Sequence, residues 1–333
     1  METSCLLSAN VLSSLSKARE MIAKRLIRKK KPQLTEEVFS SEKDSHGGPV
    51  SLKTSEGCPN LLKLANDLKT NHLRRSPMMH QRFLPDNKLE ELVTKKSVLL
   101  VLRETTIEQQ YHEDLASWVL QNSMRLFLIL VLLTRRSTER LSCIQKLKDD
   151  GYNDKALPLR FSEDKPHYGC SKAAHPVEGS QRFYSFIDWE DTDFAAFEGY
   201  QWMFLAPVLG ASNKFRHQLD SQQPLPLVSL SQEPTKGILG ETLSGEIHPA
   251  HLDPQCLSAL GVVNDPDSHG IPVLIKLVRP SDKVHPFFDI NTGKFKAKHP
   301  IISPQRIHPI AAYQKNGDDF VVFRWVGDDN PSN

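Results

Sequence analysis

The stretch "GILGETLSGEIHPAHLD" (residues 237–253), followed by "IPVLIKLV" (271–278), decides how this chain is read. Gly237 and Gly240 stand three residues apart. Without a Cβ, their backbone amides are free to approach a phosphate closely. The second piece is an apolar, strand-like run that carries one cation, Lys276, in the motif "VLIK". Taken singly, each piece is common. In this order they suggest a strand, a glycine turn, a second strand and a lysine strand, an arrangement that cradles a phosphate and neutralises it.

The pattern on either side of Lys276 agrees with a sheet. "GEIHPAHL", "PVLIKLV" and "IHPIAAYQKNGDDFVVFRWV" are short apolar runs separated by turn residues. The Asn-Gly of "KNGDD" tolerates positive φ and predicts a tight hairpin. Residues 236–333 are therefore expected to form a small, mostly antiparallel sheet.

Upstream the period changes. In "FLPDNKLEELVTKKSVLLVL" (83–102), Asp86 after Pro85 offers a helix start, its carboxylate accepting a free amide. "SVLLVL" predicts a second helix with Ser97 near its cap. From Ile107 a long helix is expected, with Tyr111, Leu115, Trp118, Val119, Leu126, Leu130 and Leu133 recurring at three and four residues. Another follows, which Gly151 is placed to end. Residues 83–155 thus read as a helical accessory domain, and the fold class as α+β. Between them, 156–235 is an aromatic-rich segment. Phe183, Phe186, Trp189, Phe194, Phe197, Tyr200, Trp202 and Phe204 read as core anchors that dock it on both sides.

Residues 1–82 read as a basic amphipathic helix and a linker. Val11, Leu15, Ala18, Ile22 and Leu26 have helical spacing, and Pro32 ends the run "RLIRKKKP". Eight Lys/Arg against Glu2 and Glu20 suit this helix to an acidic surface. "SSEKDSHGGPVS" has a disordered composition, and "NLLKLANDLK" (60–69) predicts one short helix.

Composition removes several functions. The net charge of +2 gives no field for nucleic acid, and no basic patch interleaved with aromatics occurs. The apolar run "LFLILVLL" (126–133) is far short of the roughly 20 residues a membrane span needs. Five scattered cysteines without a CxxC pair read as reduced thiols of an intracellular protein, cytoplasmic or nuclear. His167, Cys170 and His175 are loosely spaced like zinc ligands but lack an evident fourth, so no metal is expected.

The glycine turn and "VLIK" together resemble the small lobe of protein kinases. More closely, the chain is similar to fungal protein-kinase-domain proteins with a helical region in front of the kinase. "GILGETLSGEIHPAH" resembles the stretch that opens their kinase part, and "QWMFLAPVL" (201–209) the stretch before it. "FLPDNKLEELVTKKSV" resembles their helical start, and "HPIAAYQKNGDDFVVFRWVGDDN" their fourth and fifth strands and hinge. The resemblance implies a nucleotide site at Gly237, Gly240 and Lys276. Phe323 would guard the adenine pocket, and Trp325 and Val326 would form the hinge.

The departures count equally. Thr235 stands where the first glycine belongs, and Thr242 replaces the valine under adenine. The lysine's partner would be a helix glutamate some fifteen residues on, yet 277–308 contains no Glu. Asp289 and Asn291 lie nearest that place, within "FFDINTGKFKAKHP", whose Gly293 and Pro300 suit a helix poorly. No His-Arg-Asp-like loop or Asp-Phe-Gly occurs in the chain, and phosphoryl transfer depends on the groups those motifs supply.

The expectation is a non-catalytic, kinase-like protein, truncated or degenerate, acting as a binding or adaptor module. It has no catalytic residue and no required cofactor, ATP being the one candidate ligand. A protein partner would meet the apolar surface that a free small lobe exposes. Two other readings stand beside it. One is a fragment of an active Ser/Thr kinase whose large lobe lies downstream. The other is a helical protein–protein module in 83–230.

Overall fold

The computed structural model describes residues 58–77, 81–134, 139–162, 165–171, 184–186, 188–210, 214–231, 235–237, 240–259, 261, 270–278, 288–295 and 307–325. The basic segment 9–31, the linker, Phe183, His175 and Val326 lie outside the described residues. The fold is α+β and divides into two compact units. Among the described residues, 82–206 with 58–74 make one, and 207–325 the bulk of the other.

The first unit is helical. It contains α1 (Pro59–Asp67), α2 (Asn87–Leu92), α3 (Lys95–Leu102), α4 (His112–Asn122), α5 (Met124–Leu133), α6 (Glu139–Asp149) and α7 (Asp191–Gln201). A hairpin of β1 (Leu159–Ser162) and β2 (Lys165–Ser171) joins them. The α1 helix falls where "NLLKLANDLK" predicted one.

Helix α5 organises this unit. Every residue from Leu126 to Leu133 is buried, as a helix apolar on all faces must be. Its first amides then need partners that water cannot supply. Asp154 supplies them: its carboxylate accepts from Arg125 N at 2.9 Å and Leu126 N at 3.0 Å. Burial pushes the Asp154 carboxyl up, and these amides work against that shift. Glu104 does the same for α1, accepting from Asn60 N at 2.8 Å and Leu61 N at 2.9 Å.

The start of α3 is a capping box. Thr94 Oγ1 accepts from Ser97 N at 3.1 Å, and Ser97 Oγ accepts from Thr94 N at 2.9 Å. At α2 the expectation fails, since Asp86 makes no side-chain cap. Its carboxylate instead accepts from the Arg125 guanidinium at 3.0 Å, a charged partner outcompeting an amide. The long helix expected from Ile107 is also broken. It turns through 113° at Ser123, and Tyr111, expected on the buried face, is exposed. Gly151, at φ +77°, stands just past the end of α6.

Among the described residues no single helix is long and apolar enough to cross a membrane. The α4–α5 pair reaches that length only across its bend. The aromatic segment packs as core anchors: Phe186, Trp189, Phe194 and Phe197 are buried, with Phe186 and Trp189 edge-to-face at 4.9 Å. Gln201, fully buried, holds β1 by copying a backbone pair. Its Oε1 accepts from Leu159 N at 2.7 Å and its Nε2 donates to Leu159 O at 2.8 Å.

The second unit is a seven-stranded sheet. Its strands are β3 (Arg216–Gln218), β4 (Leu227–Leu230), β5 (Thr235–Gly237), β6 (Gly240–Ile247), β7 (Ile271–Val278), β10 (Ile307–Lys315) and β11 (Asp318–Trp325). A separate hairpin, β8 (Phe288–Asp289) with β9 (Lys294–Phe295), lies between β7 and β10 in the chain. The sheet order is β3-β10-β11-β7-β6-β4, with β5 on the other half of β6. All pairs are antiparallel except β3 with β10. Asn316 at φ +54° and Gly317 at φ +85° make the predicted two-residue turn between β10 and β11.

The sheet therefore starts earlier than residue 236. The segment 156–235 is not one docking unit: α7 belongs to the helical unit, and β3 and β4 to the sheet.

At the end of β10, Lys315 is buried, and its Nζ donates to the carbonyls of Asp220, at 3.0 Å, and of Gln223. Burial lowers its pKa to about 8, with the Asp220 charge opposing the shift.

Two outcomes follow from these contacts. Asp154→Ala should lower the free energy of unfolding by about 1–2 kcal/mol, measured by urea denaturation, with Asp154→Asn losing less. For Lys315, the folded state releases its proton near pH 8 and the unfolded chain near 10.5, so the unfolded chain holds more protons in between. Stability should rise with pH across that window, by about 3 kcal/mol, and Lys315→Met should remove the rise.

Candidate nucleotide face

Lys276 sits in β7, with β6 on one side and β11 on the other. Register fixes what shares its face. Lys276 is opposite Val321, Leu274 is opposite Phe323, and Val321 is opposite Ala312 on β10. Opposed residues in a ladder point to the same side, so these five side chains form one patch. Leu274, Ala312, Val321 and Phe323 are buried there, and Lys276 is only 5% exposed.

The opposite face holds the main core of the unit. Ile275, Leu277, Leu243, Ile271, Val322 and Phe320 pack there, and Tyr313 stacks on Phe320 at 4.9 Å. The sequence alternation of β7 is thus apolar on both sides, with one cation inserted. Such a strand has to be covered on both faces.

The cover on the Lys276 side comes partly from Phe215, Val278 and Ile290, which pack against Leu274 and its neighbours. Ile290 lies in the turn of the β8–β9 hairpin. That turn is closed by Asp289: Oδ1 accepts from Asn291 N at 3.0 Å, and Oδ2 accepts from Thr292 Oγ1 at 2.9 Å. Gly293 completes it at φ +69°, with the Phe215 ring 2.4 Å from where a Cβ would stand. Asn291 Oδ1 accepts from the Arg216 guanidinium at 3.1 Å. The place where a partnering glutamate helix is expected is therefore a tight hairpin at 288–295.

The glycines lie in the hairpin expected of them. Gly237 is opposite Gly240, and Thr235 is opposite Thr242. Thr242 is buried. Leu243 pairs with Ile275 on the core face, so alternation puts Thr242 on the Lys276 face. Trp325 closes β11 opposite Ile307. The structure thus brings the glycine hairpin, Lys276 and the strand leading to Trp325 into adjacent positions of one sheet. Sequence reading missed Leu274 and Phe215. Leu274 was legible, since it occupies the small alanine position of a Val-Ala-Ile-Lys strand; Phe215 gave no signal.

No family model, curated protein or solved structure matches this chain.

His248 and His251 are turn residues, as expected. His248 Nδ1 accepts from Ala250 N at 3.2 Å, and His251 Nδ1 lies 3.1 Å from Pro207 O. No cluster of three or more His, Cys, Asp or Glu suits a metal among the described residues. The side chains of His167 and Cys170 are not among those described. Cys58, Cys143 and Cys256 are free thiols. Among the described residues of the sheet unit, no large hydrophobic side chain is exposed; Tyr111 of the helical unit is the one that is. The exposed apolar surface expected of a free small lobe is not found there, because those side chains are turned into the two faces of the sheet.

Gly293→Ala should test the cover over the Lys276 face. The new Cβ meets the Phe215 ring and a left-handed backbone, so a loss of about 1–3 kcal/mol in unfolding free energy is expected by denaturant titration.

Proposed function

We propose that this chain is a non-catalytic, protein-kinase-like protein that acts by binding rather than by phosphoryl transfer. One observation carries the reading: the sheet face that bears Lys276 is already filled. Leu274 takes the place where a Val-Ala-Ile-Lys strand keeps an alanine, and it packs with Phe323, Val321 and Ala312. An adenine ring needs that space. A leucine in place of alanine adds three carbons in the path of the ring.

Three features support the kinase-like part. The strands pair in the sequence glycine hairpin, lysine strand, then the strand ending at Trp325. Thr242, Lys276 and Phe323 fall on the same face of that sheet. A helical unit precedes the sheet in the chain. Three features support the non-catalytic part: the filled face, the hairpin at 288–295, and the lack of Glu in 277–308.

The test is an equilibrium titration of the full chain with a fluorescent ATP analogue and magnesium. The wild type should show no saturable signal up to about 1 mM, where binding is worth only about 4 kcal/mol. Saturable binding that Lys276→Met abolishes, with circular dichroism unchanged, would show an open nucleotide site and remove the filled face on which the proposal rests; phosphate transfer to a protein by the same material would refute it.

A further inference from the structure

The edge of the sheet carries a feature that a nucleotide-silent lobe does not explain. β3 is three residues long, lies at the end of the sheet and, among the described strands of that sheet, is the one that pairs in parallel. Ala312 N donates to Phe215 O at 2.8 Å and Leu219 N donates to Gln314 O at 2.9 Å. Its central residue, His217, stands opposite Tyr313 in the ladder. His217 is 6% exposed and Tyr313 fully buried. Neither the Nε2 of His217 nor the Oη of Tyr313 has a hydrogen-bond partner among the described residues.

A buried imidazole of this kind is tolerated while neutral and costly once charged. The groups on the surrounding elements make it costlier. Lys214 precedes it, and Lys315 lies two residues beyond Tyr313 on β10. The neighbouring carboxylates are engaged elsewhere. Asp319 pairs with Arg216 at 2.6 Å, and Asp220 Oδ1 accepts from Gln222 N at 3.1 Å. Burial first, and the Lys214 charge second, hold the His217 pKa below the ordinary histidine value, a hydrogen bond with the Lys214 backbone opposing them.

We propose that β3 is a proton-operated latch, in which protonation of His217 releases residues 214–219 from β10 and uncovers the edge of that strand. The neutral ring is compatible with the closed edge. The imidazolium has no acceptor for its second N–H among the described residues and is repelled by the Lys214 charge. It reaches water by leaving the ladder; β3 is terminal in the sheet, so its release breaks the Arg216–Asp319 pair and the Phe215 packing but none of the backbone pairing between β11 and β7. What is uncovered is the backbone of Ala312–Gln314, an unpaired strand edge able to accept another strand.

The test is hydrogen exchange on the full chain at about pH 7.5 and about pH 5, corrected for intrinsic exchange, which spans the histidine range. Protection at the amides of Ala312 and Leu219 should fall severalfold at the lower pH, because the open state binds the proton more tightly than the closed one. Amides of β7 and β11 should not follow. His217→Gln, neutral throughout, should keep both amides equally protected at the two pH values. Wild-type protection that is the same at both pH values, or a variant that loses protection as the wild type does, overturns the latch. A wild-type measurement serves as well as the variant. The His217 imidazole resonances should titrate with the same midpoint as the Ala312 opening. Titration at the ordinary histidine value, with Ala312 protected throughout, also overturns it.

Discussion

A cation in the middle of an apolar sheet face constrains everything built around it. Lys276 is 5% exposed, with Leu274 two residues before it and Val321 opposite. Burying an ammonium is expensive unless the surroundings compensate, so such a lysine is rarely an accident of composition. In a strand that binds phosphate, the neighbours on that face are kept small and the ligand supplies the counter-charge. Here the neighbours are large: Leu274, Phe323 and the covering Phe215 and Ile290 take the room. On the proposed reading, the frame of a nucleotide site is kept while its space is spent on packing. The sheet thus has an apolar layer on its second face, and no large hydrophobic side chain of this unit is exposed among the described residues.

The helical unit solves a different problem with a repeated device. Its central helix is apolar on every side, so its ends must be satisfied by groups brought from far along the chain. Asp154 reaches the start of α5, Glu104 the start of α1, and Asp193 both the Glu190 amide and the buried Arg140 guanidinium, the latter at 2.8 Å. Except for the local Asp193–Glu190 bond, each contact ties two distant segments with hydrogen bonds to a charge, stronger than neutral ones. The unit is thereby specified by a few long-range polar pins set around an apolar core, while the sheet unit is specified by register.

What could be read from the sequence was local. The Thr94–Ser97 cap, the Asn316–Gly317 turn, the glycine after α6 and the burial of "LFLILVLL" each depend on residues within a few positions of one another. What could not be read depended on partners elsewhere. Asp86 had the right type and place for a cap, but Arg125, thirty-nine residues on, took its carboxylate. The bend at Ser123 lacks glycine and proline; it lets α5 bury all its faces. β3 is "RHQ", three polar letters that acquire strand geometry only because β10 offers an edge. Of the candidate site, Gly237, Gly240 and Lys276 were legible because each residue type has a specific chemistry. Its closure was not, since Phe215 and the hairpin at Ile290 become neighbours of Leu274 only in the folded chain.

The account stands or falls on whether the Lys276 face is closed in solution. Native amine labelling followed by peptide mass spectrometry reads this directly, with the exposed Lys96 and Lys155 as internal references. A closed face predicts that Lys276 stays unmodified while those two are labelled to completion, and reacts only after denaturation. Labelling of Lys276 at a rate comparable to Lys96 would show an open cleft and contradict the account.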